Sequence, residues 1–259
     1  MITSLENPRV KEVLRLRKGR ERGRTRLFVA EGRREVERAL AAGLVVRATY
    51  VAPELVPDWP HDAEEVSARV LARMAYRTEP EGIVAIVEQP QHQLPNETTL
   101  LLVAVGIEKP GNLGAMARTA DAAGADALLV AEARADPWNP NAIRASTGAV
   151  FTLPIVETTQ ADLAGLPHRR VAAVLGARRA YSDLDYTAPT AFLVGAEDTG
   201  LPRSYRVLAG EDVEIPMRGR TADSLNAGAA AAVLLFEARR QRDAHRDTSG
   251  RRNATGPRA

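Results

Sequence analysis

The chain has 259 residues, 45% of them apolar, a formal net charge of only +2 and no cysteine. That apolar share excludes a wholly disordered protein, and the absence of cysteine excludes disulfides, thiolate metal sites and a cysteine nucleophile. The opening MITSLENPRVKEVL lacks a signal-peptide core, and the longest apolar run, Ala229–Phe236, is too short to span a bilayer, so a soluble, cytoplasmic protein without membrane or metal partners is expected.

The charge is unevenly placed. Nine basic residues lie between Arg9 and Arg26 against Glu12 and Glu21, and seven arginines between Arg239 and Arg258 against Asp243 and Asp247. Lysine occurs only at 11, 18 and 109. A guanidinium fork pairs with phosphate and stacks on bases, so the clusters point to nucleic acid; a solvated helix face rich in arginine is the plainer alternative.

In chain order, residues 1–20 read as a basic helix with Val10, Val13 and Leu14 on its apolar side. Gly19 and Gly23 end it, leaving GRERGRTR as a phosphate-seeking loop with Arg20, Arg22, Arg24 and Arg26 as RNA-contact candidates. A strand at Leu27–Ala30, a helix over Arg33–Ala42 and a strand over Val45–Val51 follow. Prolines at 53, 57 and 60 hold an open acidic loop. Then come a helix over Val66–Ala75 and a strand over Gly82–Val87. The polar stretch 88–98 reads as a linker, giving a small α/β domain at 1–90, a linker at 91–98 and a second domain at 99–245.

That second domain opens on Leu100–Val105, an apolar run expected of a buried parallel strand. A helix over Asn112–Ala123, a strand at Ala127–Val130, a helix near Asn141–Ser146 that carries Arg144, and strands at Arg170–Leu175 and Ala191–Val194 continue the alternation. Val213–Ile215 reads as a strand end before a loop, and a helix N-capped by Asp223 or Ser224 runs from Leu225 to Arg240. Its run Ala227–Ala232, with one glycine, predicts burial against a neighbour. The polar tail, 246–259, is expected to be disordered. Ligands of such a sheet sit at the carboxyl ends of its strands.

Three segments lie at such ends, PGNLGAMARTA, FLVGAEDTGLP and IPMRGRTADSLNAG, and RASTGAVFTLP lies between the first two on a short helix. Together they resemble the SpoU/TrmH family of RNA ribose 2′-O-methyltransferases, of the SPOUT class, over about Leu100–Gln241. The opening SLENPRVKEVLRLR…FVAEGRREVERAL resembles the ribosomal-protein-like RNA-binding extension of many members. The resemblance implies a parallel α/β sheet with a C-terminal trefoil knot, a departure from unthreaded chains. It also implies S-adenosylmethionine as cofactor and a homodimer joined through the methyltransferase domain.

Carried over by motif, Gly195, Ile215 and Leu225 would touch the cofactor, with Leu175, Gly176, Met217 and Gly219 beside them. Asn112, Arg118, Glu197, Ser224 and Asn226 match the catalytic positions, Arg118 either as a base or as a charged stabiliser of the alkoxide, with Asn112 and Glu197 orienting it. One departure is Ala227-Gly228 where the family most often has Val and then Ser or Ala, which is expected to loosen packing beside the cofactor. The substrate expected is large-subunit rRNA, with tRNA as the alternative and a non-catalytic ribosome assembly factor as the rival from another class. A dehydrogenase lacks its Gly-x-Gly-x-x-Gly, and the four histidines at 61, 92, 168 and 245 have no ligand spacing.

Overall fold

The computed structural model describes residues 1–221 and 223–253, with side chains to 246. The elements run α1 (Pro8–Arg15), α2 (Gly19–Thr25), β1 (Leu27–Glu31), α3 (Arg33–Ala41), β2 (Val46–Val51), β3 (Glu64–Glu65), α4 (Ala68–Met74) and β4 (Ile83–Glu88). They continue with β5 (Leu100–Val105), α5 (Pro110–Ala122), β6 (Ala127–Ala131), α6 (Pro140–Ser146), β7 (Ile155–Thr158), α7 (Gln160–Gly165) and β8 (Arg169–Ala173). Last come β9 (Thr190–Val194), α8 (Arg203–Ala209), β10 (Gly210–Val213) and α9 (Ala227–Asn253). By contact the chain forms two units, residues 1–91 with 136–152, and residues 92–135 with 153–259.

In the first unit a four-stranded sheet, ordered β1-β4-β2-β3, is antiparallel except for β2 against β3. Side chains alternate across a strand, and both faces of β1 are buried. Val29 joins Val10, Val13 and Leu16 of the first helical segment and Val70, Leu71 and Met74 of α4 in one core. Phe28 points the other way and stacks on Trp138 and Phe151, with ring centroids 5.0 and 5.6 Å apart. Residues 136–152, which follow a strand of the second unit in sequence, therefore belong in packing to the first.

The stretch GRERGRTR is not a loop. Gly19 opens α2, Gly23 lies inside it, and Arg26 closes it in the left-handed region at φ 56°. Arg22 is buried and cannot reach a phosphate: its Nε donates to Asp136 Oδ2 at 2.7 Å, and its Nη1 donates to the carbonyls of Leu16 and Arg17 at 2.8 Å. Its place on the inner side of α2 turns the charge inward, while Arg20, Arg24 and Arg26 remain exposed.

The second unit is a six-stranded parallel sheet ordered β10-β8-β9-β5-β6-β7. β5, β6 and β9 are buried along their whole length, which is why their sequences are unbroken apolar runs. From β5 the chain steps outward to β6, whereas from β9 it passes through α8 to β10 at the opposite edge. The direction reverses between β5 and β9, and in open α/β sheets ligands bind in the crevice outside the strand ends at such a point.

Helix α9 buries Ala227, Ala231, Leu234, Leu235 and Ala238, a stripe of helical spacing. Gly228 packs on Ala115 of α5, and Arg239 donates to the carbonyls of Ala123 and Gly124 at the far end of α5. Start meets start and end meets end, so the two helices run in the same direction. Arg242 is also buried, donating to the carbonyls of Tyr186, Ala188 and Thr99, so part of the C-terminal arginine cluster is internal scaffolding. The helix extends to Asn253, beyond the expected end at Arg240; the remainder of the expected tail, 254–259, lies outside the described residues. No helix among the described residues is long and apolar enough to cross a membrane.

Removing one partner of a buried ion pair strands the other. Arg22→Met should therefore destabilise the chain by about 2 kcal/mol, discounted because Asp136 is partly exposed, while Arg20→Ala should leave it unchanged. Urea denaturation of both variants checks this.

Candidate active site

The reversal point brings together residues from three loops. After β5, Lys109 leads into α5, where Pro110 takes the first turn without losing a needed N–H and Asn112 sits one turn in. After β9, Gly195 and Ala196 lead to Glu197. Ahead of α9 comes Asn226, the residue that caps that helix: its Oδ1 accepts from Gly228 N at 2.9 Å and its carbonyl from Ala230 N at 2.9 Å. The cap is thus three residues later than Asp223 and two later than Ser224, the expected choices.

The Asn226 amide faces the other two loops with its nitrogen. Nδ2 donates to Asn112 Oδ1 at 3.0 Å and to Glu197 Oε1, and Glu197 Oε2 accepts from Lys109 Nζ at 2.9 Å. Lys109, then Asn112, hold the Glu197 carboxyl below its ordinary value, and Glu197 in turn raises the Lys109 ammonium. Lys109 was missed in the sequence; its signal was being the one lysine outside the N-terminal cluster, directly before a motif.

Two catalytic candidates lie apart from this cluster. Ser224 Oγ donates to Asp223 Oδ1 at 3.2 Å. Arg118 is exposed and makes no hydrogen bond or ion pair with a described residue. Six residues beyond Asn112 on α5, it is displaced by about 9 Å along the axis and turned to another side of the helix. Asn112 and Glu197 therefore pair with Asn226, and Glu197 with Lys109, and within the chain neither contacts Arg118.

Beside the cluster is a cavity of about 290 Å³ formed by the ends of β8 and β9 and the loop before α9. Leu175, Gly195, Ile215, Met217, Leu225, Glu197 and Ser224 all line it, together with Thr199, Leu201 and Arg206, which sequence reasoning did not select. Gly176 borders neighbouring surface clefts instead, and Gly219 lines none of these. Leu175 and Leu225 are 65% and 36% exposed, an unusual state for leucines on a cavity wall unless a ligand covers them. A Cβ on Gly195 would lie 2.3 Å from the Gly200 carbonyl carbon and oxygen, so the tight 195–200 turn needs glycine there. Gly228 does not loosen the packing as expected: a Cβ there would stand 2.9 Å from the Ala115 Cβ, so glycine permits close helix approach. Arg144 and the RASTGAVFTLP segment as far as Thr152 belong to the first unit.

A parallel sheet with a cavity at its strand ends and a fixed amide–carboxylate cluster at its reversal point is the arrangement in which doubly wound proteins bind their ligands. The chain belongs to the SpoU rRNA methylase family, which residues 99–236 match, while residues 7–85 match the MRM3-like substrate binding domain. It is 31% identical over 250 residues to the Bacillus subtilis 23S rRNA (guanosine(2553)-2′-O)-methyltransferase RlmP, covering 92% of this chain and 98% of that one. Against a Streptomyces viridochromogenes 23S rRNA (uridine(2479)-2′-O)-methyltransferase it is 38% identical over 177 residues, covering 63% of this chain and 61% of the relative. Among solved structures, the AdoMet-bound rRNA methyltransferase from Sinorhizobium meliloti superposes with a TM-score of 0.82 at 33% identity, over 92% of this chain and 97% of that one. The second unit thus has the architecture of a SPOUT methyltransferase.

A depressed carboxyl contributes stability that is complete above its ordinary value of 4.5 and is lost as pH falls through its lower folded value. Lys109→Ala should move the Glu197 titration back upward and bring the acid loss to higher pH, read by NMR titration of the carboxyl. Gly195→Ala should displace the 195–200 turn and weaken ligand binding in the cavity at least tenfold, measured by calorimetry with S-adenosylhomocysteine.

Proposed function

We propose that this chain transfers a methyl group from S-adenosylmethionine to a ribose 2′-oxygen of large-subunit ribosomal RNA. The observation that carries the reading is the cavity at the ends of β8 and β9 together with the Asn112–Asn226–Glu197 cluster beside it at the β5/β9 reversal point. Its walls suit the cofactor: the apolar side chains of Leu175, Leu201, Ile215, Met217 and Leu225 can enclose a purine ring, and strand-end backbone groups are available to its edge. The bound cofactor supplies an activated methyl group, so the protein needs neither metal nor covalent nucleophile.

The chain's own task is to hold the ribose hydroxyl in line and to stabilise the oxygen as it loses its proton. Holding reactants in a fixed geometry accounts for a large share of such a rate. Asn112, Glu197 and Asn226 provide a preset frame for the ribose at the cavity mouth, with Ser224 on the adjoining wall. Arg118 stands exposed, and a guanidinium offers N–H donors but no acceptor. Because Arg118 stands apart from this frame within one chain, the role that fits is donation to the developing alkoxide of the second copy in the proposed homodimer, where a donor is worth roughly 10²–10³ in rate.

The two relatives are named for a guanosine and a uridine, which fits a site that addresses the sugar, common to every nucleotide, and leaves base choice to the surrounding RNA contacts. Arg20, Arg24 and Arg26, exposed in the first unit, serve phosphate binding; Arg22 does not. A homodimer through the methyltransferase unit is part of the proposal, supported by Phe236, 49% exposed on α9. The cytoplasm, where ribosomal RNA is processed, is its proposed place of work.

Purified protein with methyl-labelled cofactor should label one ribose of unmodified 23S rRNA, mapped by resistance to alkaline cleavage. Label in tRNA alone would overturn the substrate, and no label in either RNA or in ribosomal particles would overturn the activity. Arg118→Ala should lower turnover at least a hundredfold with cofactor affinity unchanged; lost cofactor binding would make the arginine structural. Light scattering should give twice the chain mass.

A further inference from the structure

Within the first unit, away from the arginines of α2, a single aromatic ring is held out to solvent by unusual means. Tyr76 follows the end of α4 and is 44% exposed. Its backbone is pinned from both sides. Glu31, buried at the end of β1, accepts from Tyr76 N at 2.7 Å and from Arg77 N at 3.1 Å. Arg17 donates to the carbonyls of Arg73, at 2.9 Å, and Ala75.

A second buried carboxylate, Glu35, is 1% exposed and lines the same crevice as the ring. It accepts from Arg34 Nη2 at 2.6 Å, and its other oxygen, which has no hydrogen-bond partner, lies 3.6 Å from Arg77 Nη2. On the opposite side Asn141 Nδ2 lies 3.5 Å from the Tyr76 hydroxyl, and Arg144 donates to Asn141 Oδ1 at 3.0 Å. Glu31, Glu35, Tyr76, Arg77 and Arg144 border one small crevice. Arg77 is also paired with Glu81, whereas Arg144 is exposed and its bond is to a neutral amide, so its charge is uncompensated there.

Burying two carboxylates carries a desolvation cost that apolar residues of similar size would avoid, so stability alone is a poor account of them. What they achieve is a rigid mount for one exposed ring with guanidiniums at its edges. Aromatic faces bordered by arginines bind unpaired nucleotides, the base stacking on the ring and the phosphate meeting the cation.

We infer that Tyr76, with Arg144 beside it, is a stacking platform for an unpaired nucleotide of the RNA substrate, which positions the RNA without touching the reacting atoms. This rests on the reading that the partner is RNA, but not on methyl transfer.

The test uses the full chain and a fluorescent RNA of mixed, unstructured sequence, alone and annealed to its complement. Tyr76→Ala should weaken single-strand binding about tenfold and leave duplex binding, the salt slope and the melting temperature unchanged. Tyr76→Phe should bind as the wild type does, and Tyr76→Trp equally or more tightly. Arg144→Gln should lower the salt slope by about one. With 23S rRNA as substrate, Tyr76→Ala should raise KM and spare kcat. Single-strand binding unchanged in Tyr76→Ala, or lost equally in Tyr76→Phe, would overturn the platform. A protein whose RNA binding depends on Tyr76 but which methylates no RNA would keep the platform and overturn the proposed activity.

Discussion

The site depends on one side-chain amide. Asn226 has a donor end and an acceptor end, and the structure uses them in opposite directions. Its oxygen closes the first turn of α9, and its nitrogen holds Asn112 of α5 and Glu197 beyond β9. Aspartate could cap the helix but could not donate to a carboxylate, and leucine could do neither. Lys109 completes the arrangement by balancing Glu197, so three loops are joined by polar contacts with little net charge left among them. Since α5 and α9 run in the same direction, the positive ends of both helices also face that carboxylate, which favours its ionised form.

The strand order determines where this junction falls. β5 and β9 are neighbours, with Leu100 opposite Thr190 and Ala104 opposite Val194, yet their outgoing connections diverge to opposite edges of the sheet. That divergence is the reversal point at which the polar cluster sits, and the cavity lies one strand further on, at the ends of β8 and β9. The 195–200 turn folds back on itself so tightly that Gly195 has no room for a side chain, while the loop before α9 closes over the other side. Between these two loops lies the cavity, walled largely by apolar side chains.

Much of this was legible in the sequence. The unbroken apolar runs of β5 and β9 announced buried parallel strands, and the glycines at 195 and 200 marked the turn between them. The clustering of arginine was harder to read. Arg22, Arg239 and Arg242 lie in segments as basic as any phosphate-binding arm, but each turns inward and spends its donors on backbone carbonyls. Arg17 and Arg170 do the same. A guanidinium serves either purpose equally well, and only the side of the helix it occupies, set by long-range packing, separates the two. The assignment of residues 136–152 to the first unit was hidden for the same reason: it depends on Phe28 meeting Trp138 and Phe151, more than a hundred positions away. The short α7, α8 and β7 carry too few periodic residues to be recognised locally, and the cap at Asn226 competes with two equally good capping residues just before it.

Gly228 shows how the parts constrain one another. A larger residue would hold the start of α9 away from Ala115, and the Asn226 amide would then move away from Asn112 at the point where both helices begin. At the other end Arg239 clamps the last carbonyls of α5, where Gly124, at φ +67°, leaves space that a Cβ would deny to the guanidinium. Contacts at both ends fix the helices against sliding as well as against separation. In-line transfer tolerates little error, since a displacement of about 1 Å can cost a hundredfold in rate. The small-residue face of α9 is therefore better understood as part of the positioning apparatus than as mere filler: it lets two helices share one register, so that their first turns hold the polar cluster in a single arrangement.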